Sequence, residues 1–252
     1  MATYIQNFKK FQPLLNELIM RDIKTKYRKS ILGVFWTILN PLFMMVVLSV
    51  VFSNMFKFDV EYFPVYLLSG QLIFNFFNEA TTNAMGAIVA NGPLIKKIYV
   101  PKYMFVLSRI FSSSINLLAS FTAMIFVMLA MRVELHYTVL LAPIPLIFIV
   151  FFSLGVGLIL SAITVKFRDI MHLYSVFVTA LMYLTPVIYP MSILPEWLKK
   201  IVLLNPITNI LMMFRDVMLN NMLPSIGSIL LAAVETAMVM VIGLYVFYKR
   251  QD

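Results

Sequence analysis

The chain has 252 residues, of which 62% are hydrophobic and 12% are charged, and its formal net charge is +9. Because soluble domains contain about 25% charged residues, this composition excludes an ordinary soluble protein and predicts a polytopic membrane protein. The basic residues lie in short loops between apolar segments, which argues against a nucleic-acid partner, and the lack of cysteine excludes disulfides and thiolate chemistry.

A basic amphipathic segment precedes the first apolar stretch. Pro13 can open a helix, and Leu15, Ile19 and Ile23 recur every four residues along it. This pattern predicts a cytoplasmic interface helix within residues 1–32 whose apolar side lies in lipid. A topogenic anchor would show the same pattern, but the cations are also candidate contacts for an anionic lipid head group such as a pyrophosphate. They are Arg21, Lys24, Lys26, Arg28 and Lys29.

Six apolar segments approach or exceed the roughly 20 residues that a spanning helix needs. They are 33–56, 62–89, 105–131, 137–165, 170–189 and 224–248. Fifteen of the 20 Lys and Arg residues then fall on the side that holds both termini, which predicts that both termini are cytoplasmic. The predicted fold class is an all-α polytopic membrane protein, built as a single transmembrane domain over residues 1–252.

The loop 90–104 predicts a short cytoplasmic helix. Pro93 can start this helix and Pro101 must end it. A short rigid helix between two spans is suited to docking in a groove of a partner, although the lysines alone would also fit an ordinary positive-inside loop. The candidate docking residues are Leu94, Ile95, Lys96, Lys97, Ile98 and Tyr99.

Segment 191–222 is apolar, yet it lies on the external side of this topology. The Asn205-Pro206 step divides it into 195–204 and 206–219, and each piece is too short for a hydrocarbon core of ~30 Å. The segment therefore predicts a re-entrant hairpin that acts as an external gate. An extra pair of spans is the alternative, but it would move Arg250 outside. The candidate gate residues are Pro195, Trp197, Asn205, Pro206, Ile207, Ile210, Leu211 and Arg215.

Aromatic residues are abundant, with 22 Phe, 12 Tyr and 2 Trp. We expect most of them to face lipid or the membrane interface. Because aromatic faces bind the C–H faces of sugar rings, those in the first and fifth predicted spans are also candidates for lining a sugar path. These candidate channel aromatics are Phe35, Trp36, Phe43, Tyr174, Phe177, Tyr183 and Tyr189.

Ionisable groups inside the predicted spans are few. Glu79 and Glu235 are interpreted as helix-packing or gate hydrogen-bonding groups, and Arg168 with Asp169 as an ion pair at a cytoplasmic turn. The sequence has no P-loop and no evident nucleophile–base pair, and the two histidines fall on opposite sides of the topology. We therefore predict no catalytic, cofactor or metal site; ATP and Mg²⁺ would belong to another polypeptide if transport is ATP-driven.

Five segments together resemble the transmembrane subunits of ABC-2 type polysaccharide and polyol-phosphate exporters, the Wzm-like and TarG-like permeases. They are RDIKTKYRKSILGVFWTILNPL at 21–42, LIKKIYVPK at 94–102, VKFRDI at 165–170, TPVIYP at 185–190 and ILPEWLKKIVLLNPITNILMMFR at 193–215. The first and last are specific in combination, because they occur in this order and at this spacing.

This resemblance implies a homodimer in the bacterial cytoplasmic (inner) membrane with two separate ABC ATPase subunits. It implies that residues 21–29 belong to the interface helix, that 94–99 form a coupling helix docked in the ATPase, and that 195–219 form external gate helices. The substrate would be a long glycan linked to undecaprenyl pyrophosphate, such as an O-antigen or a teichoic acid, threaded through a channel at the dimer axis.

Two other classes of protein remain open from the residues alone. A membrane enzyme acting on lipid-linked sugars would need convergent polar catalytic groups, and the sequence has almost none. A proton-coupled secondary transporter would need more buried ionisable groups than Glu79 and Glu235, and often shows internal repeats.

Overall fold

A computed structural model describes residues 2–27, 32–55, 60 and 62–250 of the chain, and the regular structure in these ranges is entirely helical. The all-α prediction is therefore confirmed for the described chain. The helices are α1 Ala2–Tyr27, α2 Trp36–Met55, α3 Phe63–Met85, α4 Ala87–Ala90, α5 Gly92–Ile95, α6 Tyr103–Ala130, α7 Pro143–Lys166, α8 Ile170–Leu184, α9 Glu196–Leu203, α10 Pro206–Met218 and α11 Ile226–Arg250.

The number of membrane spans differs from the predicted six. Among the described helices, three are long and apolar enough to cross a membrane: Tyr103–Ala130, Tyr137–Lys166 and Ile226–Arg250. The pair α9–α10 adds a fourth if it is counted as one bent span. The helix α8 has only 15 residues, and α3 has 23 residues but an interior interrupted by polar side chains. Helices lie at all six predicted positions, yet the six-span count is not confirmed.

The N-terminal helix departs from prediction in two ways. It begins at Ala2, so Pro13 lies inside α1 rather than at its start, where the missing N–H removes one backbone hydrogen bond. The apolar side also does not face outward, because Leu15 and Leu18 are buried in the hydrophobic core and α1 packs along α6. The prediction of an apolar side in lipid is wrong for these residues, since the bundle offers them protein contacts instead.

Helices α7 and α11 pack together at two glycines. A Cβ atom added to Gly243 would lie 2.5 Å from the carbonyl oxygen of Gly155, and one added to Gly155 would lie 2.9 Å from the backbone of Val239. Small residues permit this close backbone approach, which is how many membrane helices associate. The structure therefore assigns Gly155 to helix packing.

The turn between α7 and α8 follows the prediction in its position but not in its contacts. The helix α7 ends at Lys166 and α8 begins at Ile170, so three residues, 167–169, separate the helices. Arg168 and Asp169 are both exposed, and the ion pairs within the described ranges do not include one between them. The predicted local ion pair is wrong, since two exposed neighbours gain little from pairing in water.

Candidate functional site

The two short helices of segment 191–222 form a sharply bent pair. The axes of α9 and α10 differ by 95° across the Asn205-Pro206 step. Asn205 caps α10, because its side-chain oxygen accepts a hydrogen bond from the Ile207 N–H at 3.1 Å. Its side-chain nitrogen donates to the Thr185 hydroxyl at 2.9 Å. The break predicted from Asn205-Pro206 is present, and it is tied to the segment that follows α8.

Arg215 is the most extensively hydrogen-bonded side chain in this region. It is 5% exposed and donates to the Tyr66 hydroxyl at 2.7 Å and the Ser69 hydroxyl at 3.0 Å. It also donates to the carbonyls of Pro186 at 2.7 Å, Val187 at 3.1 Å and Tyr66 at 3.2 Å. The guanidinium carbon lies 3.5 Å from the Tyr66 ring centroid, so an aromatic face and five oxygen acceptors surround the charge.

These contacts connect three separate parts of the chain. Arg215 belongs to α10, Tyr66 and Ser69 to α3, and the Pro186 and Val187 carbonyls to the segment after α8. The sequence places Arg215 among the external basic residues, but the structure places it in the interior as a tie between these elements. The burial of Arg215 could not be inferred from its position in the sequence.

The predicted gate residues divide between the interior and the surface. Ile207, Ile210 and Leu211 are fully buried in the core of the subunit, because α10 packs against α3 and α7. Pro195 and Trp197 are exposed, while Asn205 and Pro206 are partly buried. The apolar surface that α9 leaves open is formed instead by Trp197, Ile201 and Leu204.

The loop between α4 and α6 contains the predicted short helix. The helix α5 begins at Gly92, so Pro93 occupies its first turn, and a backbone hydrogen bond from Ile98 to the Leu94 carbonyl at 3.1 Å extends the helical turn. Leu94 and Ile95 pack partly against the core, whereas Lys96, Lys97, Ile98 and Tyr99 are exposed. Tyr99 is 90% exposed, compared with 46% for Ile98.

The charges of the interface helix are paired with acidic groups of the structure. Lys26 lies 2.8 Å from the Glu79 carboxylate, which also accepts from Asn116 at 2.6 Å. Asp22 lies between Arg21 at 3.1 Å and Arg109 at 3.3 Å. Lys24 is exposed. Arg28 and Lys29 lie outside the described residues.

Glu235 contacts the bent pair. Its two carboxylate oxygens accept from the Asn209 side chain at 3.0 and 3.3 Å. Because Asn209 lies in α10 and Glu235 in α11, this contact joins the bent pair to the last long helix. The structure thus brings both interior carboxylates against amide groups of neighbouring helices.

The candidate channel aromatics do not share one environment. Those exposed on the surface of the subunit are Phe35, Trp36, Phe43, Phe177 and Tyr183. Tyr174 is buried, and its hydroxyl lies 2.6 Å from that of Thr81. Tyr189 donates to the Tyr183 carbonyl at 2.7 Å. Tyr174 is therefore a packing residue within the subunit.

The helices long and apolar enough to cross a membrane, together with the bent α9–α10 pair, are typical of an integral membrane protein. The chain belongs to the ABC-2 type transporter family, whose model matches residues 13–219. The family resemblance found in the sequence is thereby confirmed.

Three relatives cover nearly the whole chain. The chain is 26% identical over 240 residues to the O-antigen export system permease protein RfbA of Klebsiella pneumoniae, covering 94% of this chain and 91% of that protein. It is 26% identical over 254 residues to a protein of the same name from Myxococcus xanthus, with coverages of 100% and 98%. It is 23% identical over 242 residues to the polysialic acid transport protein KpsM of Escherichia coli, with coverages of 93% and 92%. The names of these relatives are those of transport proteins, in agreement with the match to the ABC-2 type transporter family.

Proposed function

We propose that this chain is the permease subunit of an ATP-driven exporter of a cell-surface polysaccharide, of the O-antigen or capsule class. The observation that supports this most directly is the similarity to an O-antigen export permease and a polysialic acid transport protein. Each alignment covers more than 90% of this chain and more than 90% of the relative. The glycan is bound to undecaprenyl pyrophosphate, and teichoic acid is a second glycan of suitable chemistry. Depletion of the protein should make lipid-linked polysaccharide accumulate in the cytoplasm; normal surface polysaccharide after depletion would reject the proposal.

Two copies of the chain form the transport channel in this proposal. The exposed aromatic residues of α2 and α8 support it, because Phe43, Phe177 and Tyr183 leave large apolar surfaces that a second copy or a glycan would cover. Two ATPase subunits, which hold ATP and Mg²⁺, complete the assembly. Crosslinking of cysteines placed at these three positions in the membrane tests the dimer, and a strictly monomeric product would contradict it.

The exposed end of the α5 loop is the proposed docking site for the ATPase. We expect Ile98→Asp to reduce co-purification of the ATPase about tenfold, because a charge is buried unpaired at the contact and hot-spot residues cost more than about 1.4 kcal/mol. Leu140→Asp is a matched control. Like Ile98, Leu140 is an exposed branched aliphatic residue, but it lies beyond the opposite end of α6. If the two variants recovered equal amounts of the ATPase, the proposed docking role of the α5 loop would be contradicted.

Both termini are placed in the cytoplasm by this proposal. Because the natural chain has no cysteine, single cysteines report their side directly. Lys97→Cys and Lys249→Cys, both at exposed positions, should react with a membrane-impermeant maleimide only after the cytoplasmic face is opened. Glu196→Cys should react in intact cells. Labelling of positions 97 and 196 from the same side would contradict this topology.

The α9–α10 pair is proposed to be a re-entrant external gate. Its open apolar surface on α9, rather than the buried residues of α10, would seal the channel. We expect Leu204→Ser to increase leakage of a small dye from liposomes, because Leu204 is 79% exposed and a hydroxyl hydrates an apolar seal. Leu140→Ser, at 81% exposure, should leave the liposomes tight. If liposomes that contain the Leu204→Ser variant did not leak, the seal would have to lie in another segment.

A further inference from the structure

A pocket of about 500 Å³ with polar and apolar lining lies between α2, α3 and α6 and opens to the surface of the subunit. Its volume falls in the range of roughly 300–1,000 Å³ that is usual for small-ligand sites. The polar and aromatic side chains on which the following argument rests are Trp36, Asn40, Gln71, Asn75, Glu79 and Asn116.

The polar groups of α3 form a single stripe. Gln71, Asn75 and Glu79 are spaced by four residues, so they lie on one face of the helix, and all three line the pocket. Polar side chains in apolar helices are costly and are retained where they face an interior or a cavity. This spacing was visible in the sequence, but only the packing of α2 and α6 shows that the stripe faces a pocket.

Gln71 offers an unmet hydrogen-bond acceptor to an occupant of the pocket. The residue is 4% exposed, and its side-chain oxygen is buried with no hydrogen-bond partner among the described residues. A buried acceptor without a donor is destabilising, and an acyl chain or an apolar side chain cannot satisfy it. A ligand with hydroxyl groups can, because each hydroxyl both donates and accepts.

The charges of the pocket favour a neutral ligand. Lys26 and Glu79 are the charged residues of its lining, and they neutralise each other at 2.8 Å. The additional cations Arg21 and Arg109 line an adjoining cavity of about 610 Å³ near the interface helix. The pocket therefore offers amide groups and the exposed ring of Trp36, which is suited to the C–H face of a sugar, without an excess positive charge for a phosphate.

We propose that this pocket is a sugar-binding subsite of each permease subunit. The inference rests on the proposed function, because it assigns the site to the sugar units of the exported glycan. Gln71 and Asn75 hydrogen-bond the sugar hydroxyls, and Trp36 packs against the ring.

The lack of natural cysteine permits a direct test on the full chain in nanodiscs. Ser120 lines the pocket, and Ser120→Cys would report its occupancy through reaction with a methanethiosulfonate reagent. The probe is oligosaccharide released by mild acid from the polysaccharide of the same cell. We expect saturable protection of this cysteine by the oligosaccharide and no protection by inorganic pyrophosphate or glycerol. Absence of protection, or equal protection by pyrophosphate, would overturn the proposal.

Pocket variants then test the assigned contacts. In the Ser120→Cys background, Gln71→Leu should raise the oligosaccharide concentration for half protection about tenfold, because it removes hydrogen bonds worth about 1.4 kcal/mol in total. Asn75→Ala should act in the same direction, and its exposed side chain makes misfolding a poor explanation. Asn78→Ala is the matched control, since Asn78 lies on α3 but outside the pocket lining. Unchanged half protection in both pocket variants would refute the site.

Export measurements separate this inference from the proposed function. If the wild-type complex exports glycan while Gln71→Leu and Asn75→Ala export at the wild-type rate and bind oligosaccharide normally, the subsite is wrong and the exporter assignment stands. If the wild-type complex exports no glycan, the proposed function itself fails.

Discussion

Replacing Arg215 with methionine is expected to lower the stability of the subunit by about 3 kcal/mol. The substitution keeps much of the volume but removes the donor shared by five oxygen acceptors, three of which are at fully buried contacts. Each unsatisfied buried group costs roughly 1–3 kcal/mol. Because α10, α3 and the Pro186–Val187 segment meet at this side chain, the bent helix pair should loosen together with the fold. The measurement is the temperature at which half of the monodisperse protein is lost in detergent.

Two further substitutions make this result specific. Arg168→Met removes the same charge at an exposed position, where we expect a change within about 0.5 kcal/mol. Arg215→Lys keeps the charge but has fewer donors and no planar fork, so its loss should be intermediate. If Arg215→Met were as stable as Arg168→Met, the guanidinium contacts would not contribute to the fold.

Substituting Gly243 with alanine is expected to cost about 2–3 kcal/mol, the upper part of the range for overpacking. The added Cβ would lie 2.5 Å from the Gly155 carbonyl oxygen, and backbone atoms cannot turn aside as a flexible side chain can. Helices α7 and α11 would therefore have to separate along their shared surface. Thermal stability in detergent and resistance to limited proteolysis near α11 are the measurements.

Gly227→Ala provides the matched control on the same helix. The nearest atom to its added Cβ is the Ser225 hydroxyl oxygen at 3.7 Å, an ordinary contact distance. Since alanine has a higher helix propensity than glycine, this variant should be equal to the wild type or slightly more stable. Comparable losses for the Gly227 and Gly243 variants would show that close packing of α7 on α11 is not the cause.

Local features of the fold could be predicted because they depend on neighbouring residues. Pro206 disfavours helix at Asn205, and the break between α9 and α10 falls at this step. The charged turn at residues 166–169 ends one apolar helix and precedes the next, as predicted. Pro93 lies in the first turn of α5, as predicted, but α5 ends at Ile95, before it reaches Pro101. Each of these signals needs only a few adjacent residues.

Contacts between distant residues could not be predicted in the same way. Lys26 pairs with Glu79 across 53 positions, and Arg215 contacts Tyr66 across 149 positions, so no local pattern indicates either pair. The sequence predicts an apolar side of α1, but it does not indicate that the protein core, rather than lipid, covers Leu15 and Leu18 on that side. The sequence alone also could not distinguish a channel seal from a protein core, because both are apolar. This applies to Ile207, Ile210 and Leu211.

The sequence by itself determined the class of this protein: apolar length and few charges require a membrane, the basic asymmetry predicts an orientation, and the ordered motifs identify the ABC-2 family. The tertiary structure decided which side of each helix faces protein. An apolar side chain in a membrane protein can face lipid, the protein core or a partner subunit, so hydrophobicity alone cannot distinguish among these three environments. Only the packing of α2, α3 and α6 placed the polar stripe of α3 in a pocket, and only the folding of α10 against α3 buried Arg215 among its acceptors.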